Sequence, residues 1–200
     1  TKLANAKFNE RRYGFNVGGA IVEDKLFFFT AYEKYEGAVK FDRGASDDPN
    51  AGTPVSGVTQ AELDRIAQIA RDVYGYDPGA PISSAPVEDE KILIKLDWHI
   101  NDAHRAAITY NWNDGGNLRE SDGGSDTYEF SNHYYNRATE LTSVVGELYS
   151  NWTDNFSTEI RAGYSEVITD QITLGPKDIG DIRIFTPGGA SVYLGADVSR

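Results

Sequence analysis

The sequence predicts an all-β protein, an antiparallel transmembrane β-barrel. It is expected in part, as about six to eight strands, with long extracellular loops, one of which contains a short α-helix. Three observations point there. Strand-like runs alternate apolar and polar residues with period two. Tight turns join these runs in pairs, whereas long polar stretches separate one pair from the next, the sorting of an outer-membrane barrel with short periplasmic turns. Aromatic residues stand near both ends of the runs. The composition, with 12 Tyr, 9 Phe and 20 Gly, suits strands and turns.

The first pair is "RYGFNVGGAI" and "LFFFTAYEKY", joined by a turn at residues 22–25. Tyr13, Phe15, Val17, Gly19 and Ile21 oppose Arg12, Asn16 and Gly18 across the strand. The return strand carries Phe27, Phe28 and Phe29 in a row, which cannot all face one side of a pleated strand. Such a strand needs apolar surroundings on both faces near the turn and turns polar at Glu33 and Lys34. A barrel filled by packed protein supplies both: one set, Leu26 with Phe28 or Phe27 with Phe29, meets lipid, and the other meets the filling. Fully burying a Phe contributes about 1.5–3 kcal/mol, so this strand favours a plugged barrel over an open pore. A strand held between two layers of a soluble protein has the same signature.

Residues 36–90 form the first long connection. Thr59 followed by Glu62 makes a capping box. Leu63, Ile66, Ala67, Ala70 and Val73 then recur at helical spacing, and Gly75 stops the helix before Pro78. The spacing predicts a helix over 59–75, packed as a lid over the barrel mouth; its polar face is not basic, which argues against membrane-surface binding.

The second pair, "KILIKLDWHI" and "HRAAITYNWN", turns at residues 101–103. Ile92, Ile94, Leu96, Trp98 and Ile100 share one face and Lys91, Lys95, Asp97 and His99 the other. On the return strand, Ala106, Ile108, Tyr110 and Trp112 oppose Arg105, Thr109 and Asn111. A connection over 114–139 follows, in which "NDGGN" (113–117) reads as a turn. The third pair turns at residues 153–155. Phe156, Thr158, Ile160, Ala162 and Tyr164 oppose Ser157, Glu159, Arg161 and Ser165; the strand before it is weaker, with Val144, Leu148 and Trp152 on one face and Val145 on the other. A last connection begins near Ile168.

Trp98, Trp152 and Phe156 lie beside tight turns, and Tyr110, Trp112 and Tyr164 lie at the far ends. The eight steps from His104 to Trp112 cover roughly 26 Å along a strand at about 3.3 Å each. At a tilt of about 40° this spans roughly 20 Å, comparable to an apolar band of about 25 Å between aromatic girdles. These six residues are therefore the candidate lipid-interface aromatics; core aromatics of a soluble β-domain are the competing reading. The opposite set, Lys91, Lys95, Asp97, Arg105, Glu159 and Arg161, is the candidate lumen- or plug-facing set, by alternation alone. As solvated inner-wall residues they need have no further role.

Other classes are excluded or weakly signalled. A net charge of −12 argues against a nucleic-acid partner. No cysteine is present, so disulfides and thiolate chemistry are absent from these 200 residues. No run of about 18 apolar residues forms a membrane helix. No G-x-S-x-G, Walker A, H-E-x-x-H or Rossmann glycine pattern occurs, and no enzyme is expected. His99, His104 and His133 show no metal-ligand spacing and read as solvated or plug-contacting side chains; no metal site is assigned. "DRGASDDPN" (42–50) and "NDGGNLRESDGGSD" (113–126) offer oxygens suited to a structural Ca²⁺ but lack the EF-hand spacing, and plain turns come first. No other cofactor is expected. The opening residues have neither an initiator Met nor an apolar signal segment, so the chain is expected to be a piece of a longer polypeptide.

"YGFNVGGAIVEDKLFFFTAYEKYEG" resembles the early barrel hairpin of TonB-dependent outer-membrane receptors, in which a Gly-Gly segment, an acidic turn and a Phe-rich strand ending in Tyr-Glu recur. "VTQAELDRIAQIARDVYGYDPG" and "DEKILIKLDWHINDAHRAAITYNW" are similar to the Oar-like subgroup. The resemblance runs over most of residues 12–164 and more loosely into "IFTPGGASVYLGADVSR". It implies a 22-stranded barrel around a plug, in the bacterial cell outer membrane, moving a bulky nutrient such as a peptide, glycan or chelated metal. The implied partners are outer-membrane lipid, the plug of the same polypeptide, TonB through an N-terminal region, and a partner lipoprotein or surface protein. The plug and the subgroup's N-terminal regulatory-like domain have no counterpart in these 200 residues. A small passive or adhesive outer-membrane barrel and a soluble extracellular β-domain binding glycan or protein are the other readings.

Overall fold

The computed structural model describes residues 9–197. Residues 198–200, which close the last stretch compared above, and the opening residues 1–8 lie outside the described part. Three long hairpins build one six-stranded antiparallel sheet: β1 (Arg11–Val22) with β2 (Leu26–Lys40), β5 (Ser84–Asn101) with β6 (His104–Arg119), and β8 (Tyr135–Thr153) with β9 (Phe156–Thr173). Their order across the sheet follows the chain, β1-β2-β5-β6-β8-β9. The intervening labels belong to short strands in the connections: β3 (Arg43–Ala45), β4 (Thr53–Val55), β7 (Thr127–Glu129), β10 (Ile182–Phe185) and β11 (Ser191–Leu194).

The three tight turns fall where turn chemistry places them. Asp24, with φ of 59°, is the single non-glycine residue in the left-handed region among the described residues, a conformation that Asp tolerates better than bulky residues do. Asn101 accepts from the Ala103 N–H at 2.9 Å, an Asx turn that closes the second hairpin.

The long strands run past the expected loop boundaries. β2 and β5 stay paired out to Lys40 and Ser84, and β6 and β8 out to Arg119 and Tyr135. The 36–90 and 114–139 connections are correspondingly shorter. "NDGGN" is not a turn but lies inside β6, because β5 and β8 both offer it a ladder of backbone partners. Side-chain polarity ends an apolar band; it does not end backbone pairing. The two additional partial strands near the C-terminus do not join the main sheet either. β10 and β11 pair with each other, and β11 runs parallel to β7, in a separate three-stranded sheet.

The hydrophobic core lies outside the main sheet. The connections at one end of the hairpins fold together around Ala45, Val55, Val58, Leu63, Ala67, Ala70, Tyr76, Tyr128, Phe130, Ala190, Val192 and Leu194. Helix α1 (Gln60–Tyr74) supplies three of these from one face. Its capping box is complete: the Glu62 amide donates to Thr59 Oγ1, and the Thr59 amide donates to Glu62 Oε2. Gly75, with φ of 64°, closes it in the left-handed conformation. Val73, expected on the buried face, is instead exposed, since the face that packs narrows to Leu63, Ala67 and Ala70 at the end of the helix. Backbone bonds tie the three connections together: Ser56 N–H to Ser125 O, Phe130 N–H to Tyr193 O, and Asn132 N–H to Pro78 O. The three tight turns at the opposite end bear no such structure. No helix of the described residues is long and apolar enough to cross a membrane, which leaves strands out of account.

Candidate polar trough and the histidine-carboxylate cluster of the outer domain

Directly opposed residues of neighbouring strands project to the same side of a sheet, so the register assigns every side chain a face. One row runs Phe28, Leu96, Ile108, Gly146, Ala162; the next runs Ile94, Tyr110, Val144, Tyr164. Phe15, Val17, Trp98, Leu148 and Ile160 share this face. All six candidate interface aromatics, Trp98, Tyr110, Trp112, Trp152, Phe156 and Tyr164, fall on it as well, with Trp98, Trp152 and Phe156 toward the turns and the other three toward the outer domain. Towards the outer domain the face ends in charge, at Lys34, Glu90, Asp114, Glu140 and Glu166. At that border the Tyr32 hydroxyl donates to Glu90 at 2.7 Å, ring in the apolar band and oxygen at its edge. Nothing covers the face: Phe15 is 61% exposed and Ile160 59%.

The other face carries the candidate inner set. Lys91, Lys95, Asp97, Arg105, Glu159 and Arg161 all lie on it. They do not converge on one point but form local pairs. Lys95 meets Asp97 at 3.0 Å, Arg161 meets Glu147 at 2.7 Å and Glu159 at 3.3 Å, and Lys91 contacts Asp89 and Glu33. The Arg105 guanidinium sits 4.6 Å above the Tyr149 ring. Such partly exposed pairs fix side-chain direction more than they stabilise the fold. The sheet curves toward this face: residues of all six strands, from Asn16 and Glu33 through Lys91, Asn111 and Ser143 to Ser165, line one trough of about 850 Å³. Polar residues therefore line the concave side and apolar residues cover the convex side.

The phenylalanine triplet is divided by the same register. Phe28, with Leu26, belongs to the convex apolar face; Phe27 and Phe29 stand on the concave face near the turns. Phe27 packs against His99 with ring centres 5.6 Å apart.

A second constellation lies in the outer domain, and there the sequence reading of the histidines needs correction. His133 is not solvated; it is completely buried at the end of a 3₁₀ turn (Ser131–His133). Its Nδ1 lies 3.0 Å from the Gly195 carbonyl oxygen and its Nε2 3.1 Å from Asp122 Oδ2, with the Tyr193 ring 5.1 Å away. Asp197 completes a group in which one ligand atom from each of Asp122, His133 and Asp197 lies within 4.8 Å of the others. Gly195, with φ of 88°, turns the chain so that its carbonyl meets the imidazole. The buried Glu129 carboxylate accepts from the Ser121 and Asp122 amides, both at 2.7 Å. Burial holds its pKa above the usual carboxylate value, partly offset by those two donors. Burial also raises the Tyr134 phenol strongly, with Glu120 and Glu129 adding to it. Desolvation, reinforced by the charges of Asp122 and Asp197, raises the Asp181 carboxyl beside the cluster.

The Asp-rich stretches behave differently from one another. In 42–50, Asp47 caps the Gln60 amide and Asp48 accepts from Asn50, so these oxygens serve local turns. In 113–126, Asp122 joins the histidine cluster. No sequence spacing announces that cluster, since its members come from three connections that only the fold assembles. Comparison with protein families, with curated proteins and with solved structures gives no match for this chain.

Proposed function

We propose that the chain is a sector of an outer-membrane β-barrel wall, belonging to a TonB-dependent receptor that takes up or handles a bulky nutrient. The single observation that carries this reading is the inverted polarity of the curved sheet. A water-soluble barrel or sandwich turns its apolar face inward and its polar face to water. Here the convex face is apolar between two sets of aromatics, and the concave face is charged, the arrangement that suits lipid outside and a polar lumen inside.

Two further features support it. β1 and β9 each have one partner, so the sheet has two margins, and open margins are too costly in hydrocarbon to stand alone. A wider barrel satisfies both. Phe27 and Phe29 give the lumen face an apolar footing near the turns, which a plug of the same polypeptide would cover.

In this reading the mechanism is differential binding and displacement of a plug, not bond chemistry. The outer domain stands over the mouth, receives the ligand and narrows access. The paired charges on the wall, Lys91, Lys95, Asp97, Arg105, Glu159 and Arg161, contact the plug or line the path once it moves, and TonB drives the movement through the N-terminal region. The sequence resemblance carries the TonB and plug part; the inverted sheet carries the membrane part.

The test is fractionation of the producing bacterium, followed by gel and peptide mass spectrometry on detergent-solubilised outer membrane. The expected result is a band several times 22.0 kDa containing peptides of both this sector and a plug. Release of the native polypeptide into the aqueous fraction without detergent would overturn the membrane reading. A native band near 22.0 kDa in the membrane would overturn the plug.

A further inference from the structure

We propose that Asp122, His133 and Asp197 form a structural binding site for a divalent transition-metal cation of the zinc class, which staples together three connections of the outer domain. This goes beyond the transport reading and does not depend on it.

The imidazole sets the chemistry. A carbonyl oxygen only accepts, so at 3.0 Å from the Gly195 oxygen the His133 Nδ1 must carry the proton and donate. In the neutral ring this leaves the Nε2 lone pair directed at a carboxylate oxygen 3.1 Å away, with a second carboxylate, Asp197, completing the group. An acceptor facing two acceptors inside a protein needs a cation between them. An Nδ1–H held by a backbone carbonyl is also the outer-shell arrangement that orients a metal-ligating histidine through its other nitrogen.

The distances suit a small ion. Zinc binds imidazole nitrogen at about 2.0–2.1 Å and carboxylate oxygen at about 2.0–2.2 Å, so two ligands of one tetrahedral ion lie about 3.3 Å apart. The His133–Asp122 contact is already at that spacing. The full group, within 4.8 Å, needs a contraction of roughly 0.6 Å on its widest pair to meet on one ion. A nitrogen ligand argues against Ca²⁺ and Mg²⁺, which take oxygen ligands. One His with two carboxylates suits Zn²⁺ and its neighbours and leaves a fourth position for water.

The placement gives the ion a structural task. Asp122 follows β6, His133 ends the turn before β8, and Asp197 follows β11. Binding ties the C-terminal arm of the outer domain to the connection between the second and third hairpins. Three negative charges, those of Asp122, Asp197 and the nearby buried Glu129, gather about one imidazole; a divalent ion offsets their mutual repulsion.

The experiment uses the native polypeptide, purified in detergent and stripped with EDTA. Zn²⁺ uptake is measured by equilibrium dialysis with elemental analysis, and Co²⁺ serves as a spectroscopic substitute. The variants are Asp197→Asn and His133→Gln, with circular dichroism reporting their folding. The wild type is expected to retain one equivalent that Asp197→Asn binds more than tenfold more weakly, with a change in the Co²⁺ spectrum. Because His133→Gln could disturb the buried site, Asp197→Asn is the deciding variant. A wild type that retains no stoichiometric Zn²⁺, or an Asp197→Asn protein that binds it as the wild type does, would overturn the proposal.

Discussion

Ile108 offers the sharpest perturbation of the convex face. It sits four residues from His104 at the tight turn and four from Trp112 at the outer aromatics, about 13 Å along the strand from each. At a tilt of about 40° that is roughly 10 Å of depth on either side, the middle of the apolar band. Its cross-strand neighbours are Leu96 and Gly146, neither of which can pair with a charge, and its side chain is 47% exposed to whatever medium surrounds the sheet. An arginine at the midplane of a barrel's lipid face costs about 2–4 kcal/mol, a cost that falls to about 0–1 kcal/mol near the interface. Ile108→Arg should therefore lower the folded-to-unfolded ratio in a bilayer by roughly 30- to 700-fold. Ile100→Arg, beside the turn, should cost about 1 kcal/mol or less. Thr109→Arg, one residue on but facing the charged trough, should be nearly neutral. Reversible urea unfolding from lipid vesicles, followed by tryptophan fluorescence, reads all three. Equal losses at Ile108 and Ile100 would refute the reasoning, since ordinary core packing has no reason to follow depth from the turns. A larger loss at Thr109 than at Ile108 would refute the assignment of faces itself.

Other predictions concern the outer domain and the trough. Leu63 is 2% exposed in the outer core, so Leu63→Ala should cost about 2–5 kcal/mol, and hydrogen exchange should place the loss in α1 and its neighbours while the long ladders stay protected. Thr59→Ala removes one half of the capping box and should cost about 1 kcal/mol, seen as faster exchange of the first-turn amides. The Tyr128 phenol is raised by burial first, with Asp48 and Asp64 adding to it, so its neutral form is favoured in the folded state. Its contribution is complete below the unfolded value near 10 and is lost as pH rises beyond it; Tyr128→Phe should flatten that alkaline loss in a pH series of denaturation midpoints. Replacing Lys95 and Arg161 together by Ala should weaken plug retention or uptake if the trough lines the path, and wild-type uptake with unchanged protection of the plug would contradict that role.

Sequence and structure agree where a local signal decides. The three turns were legible because each is a few residues with turn chemistry between alternating runs, and α1 because Thr59, Glu62 and Gly75 mark both of its ends. The faces were legible from period-two alternation, and the register extends that alternation without a break through all six strands. The sequence left open which phenylalanines share a face with lipid; pairing of Phe28 with Leu96 and Gly19 decides it. Strand length was not legible beyond residue 36 or before residue 90, because backbone bonds continue where the apolar pattern stops. Nor could the Gly-rich run at 113–117 reveal itself as strand: its local preference for a turn yields to two flanking ladders. The short strands of the outer domain have three or four residues each, too few for a period to register. His133 was misread for a related reason. Its partners lie in different connections, so neither its burial nor its ligand geometry leaves a trace in spacing.

Environment of the two faces is the measurement closest to the centre of this account. The 200 residues contain no cysteine, so single cysteines can be introduced and spin-labelled one at a time along β6 and β9 in the membrane-inserted protein. Labels at Ile108, Tyr110, Ile160 and Ala162 are expected to collide with oxygen dissolved in the bilayer, and labels at Thr109, Asn111, Glu159 and Arg161 with a water-soluble relaxant or with neither. Accessibility to oxygen should therefore rise and fall with period two between the turns and the outer aromatics. A flat profile, or oxygen accessibility peaking at the odd-numbered positions, would contradict the inside-out sheet on which the proposed function stands.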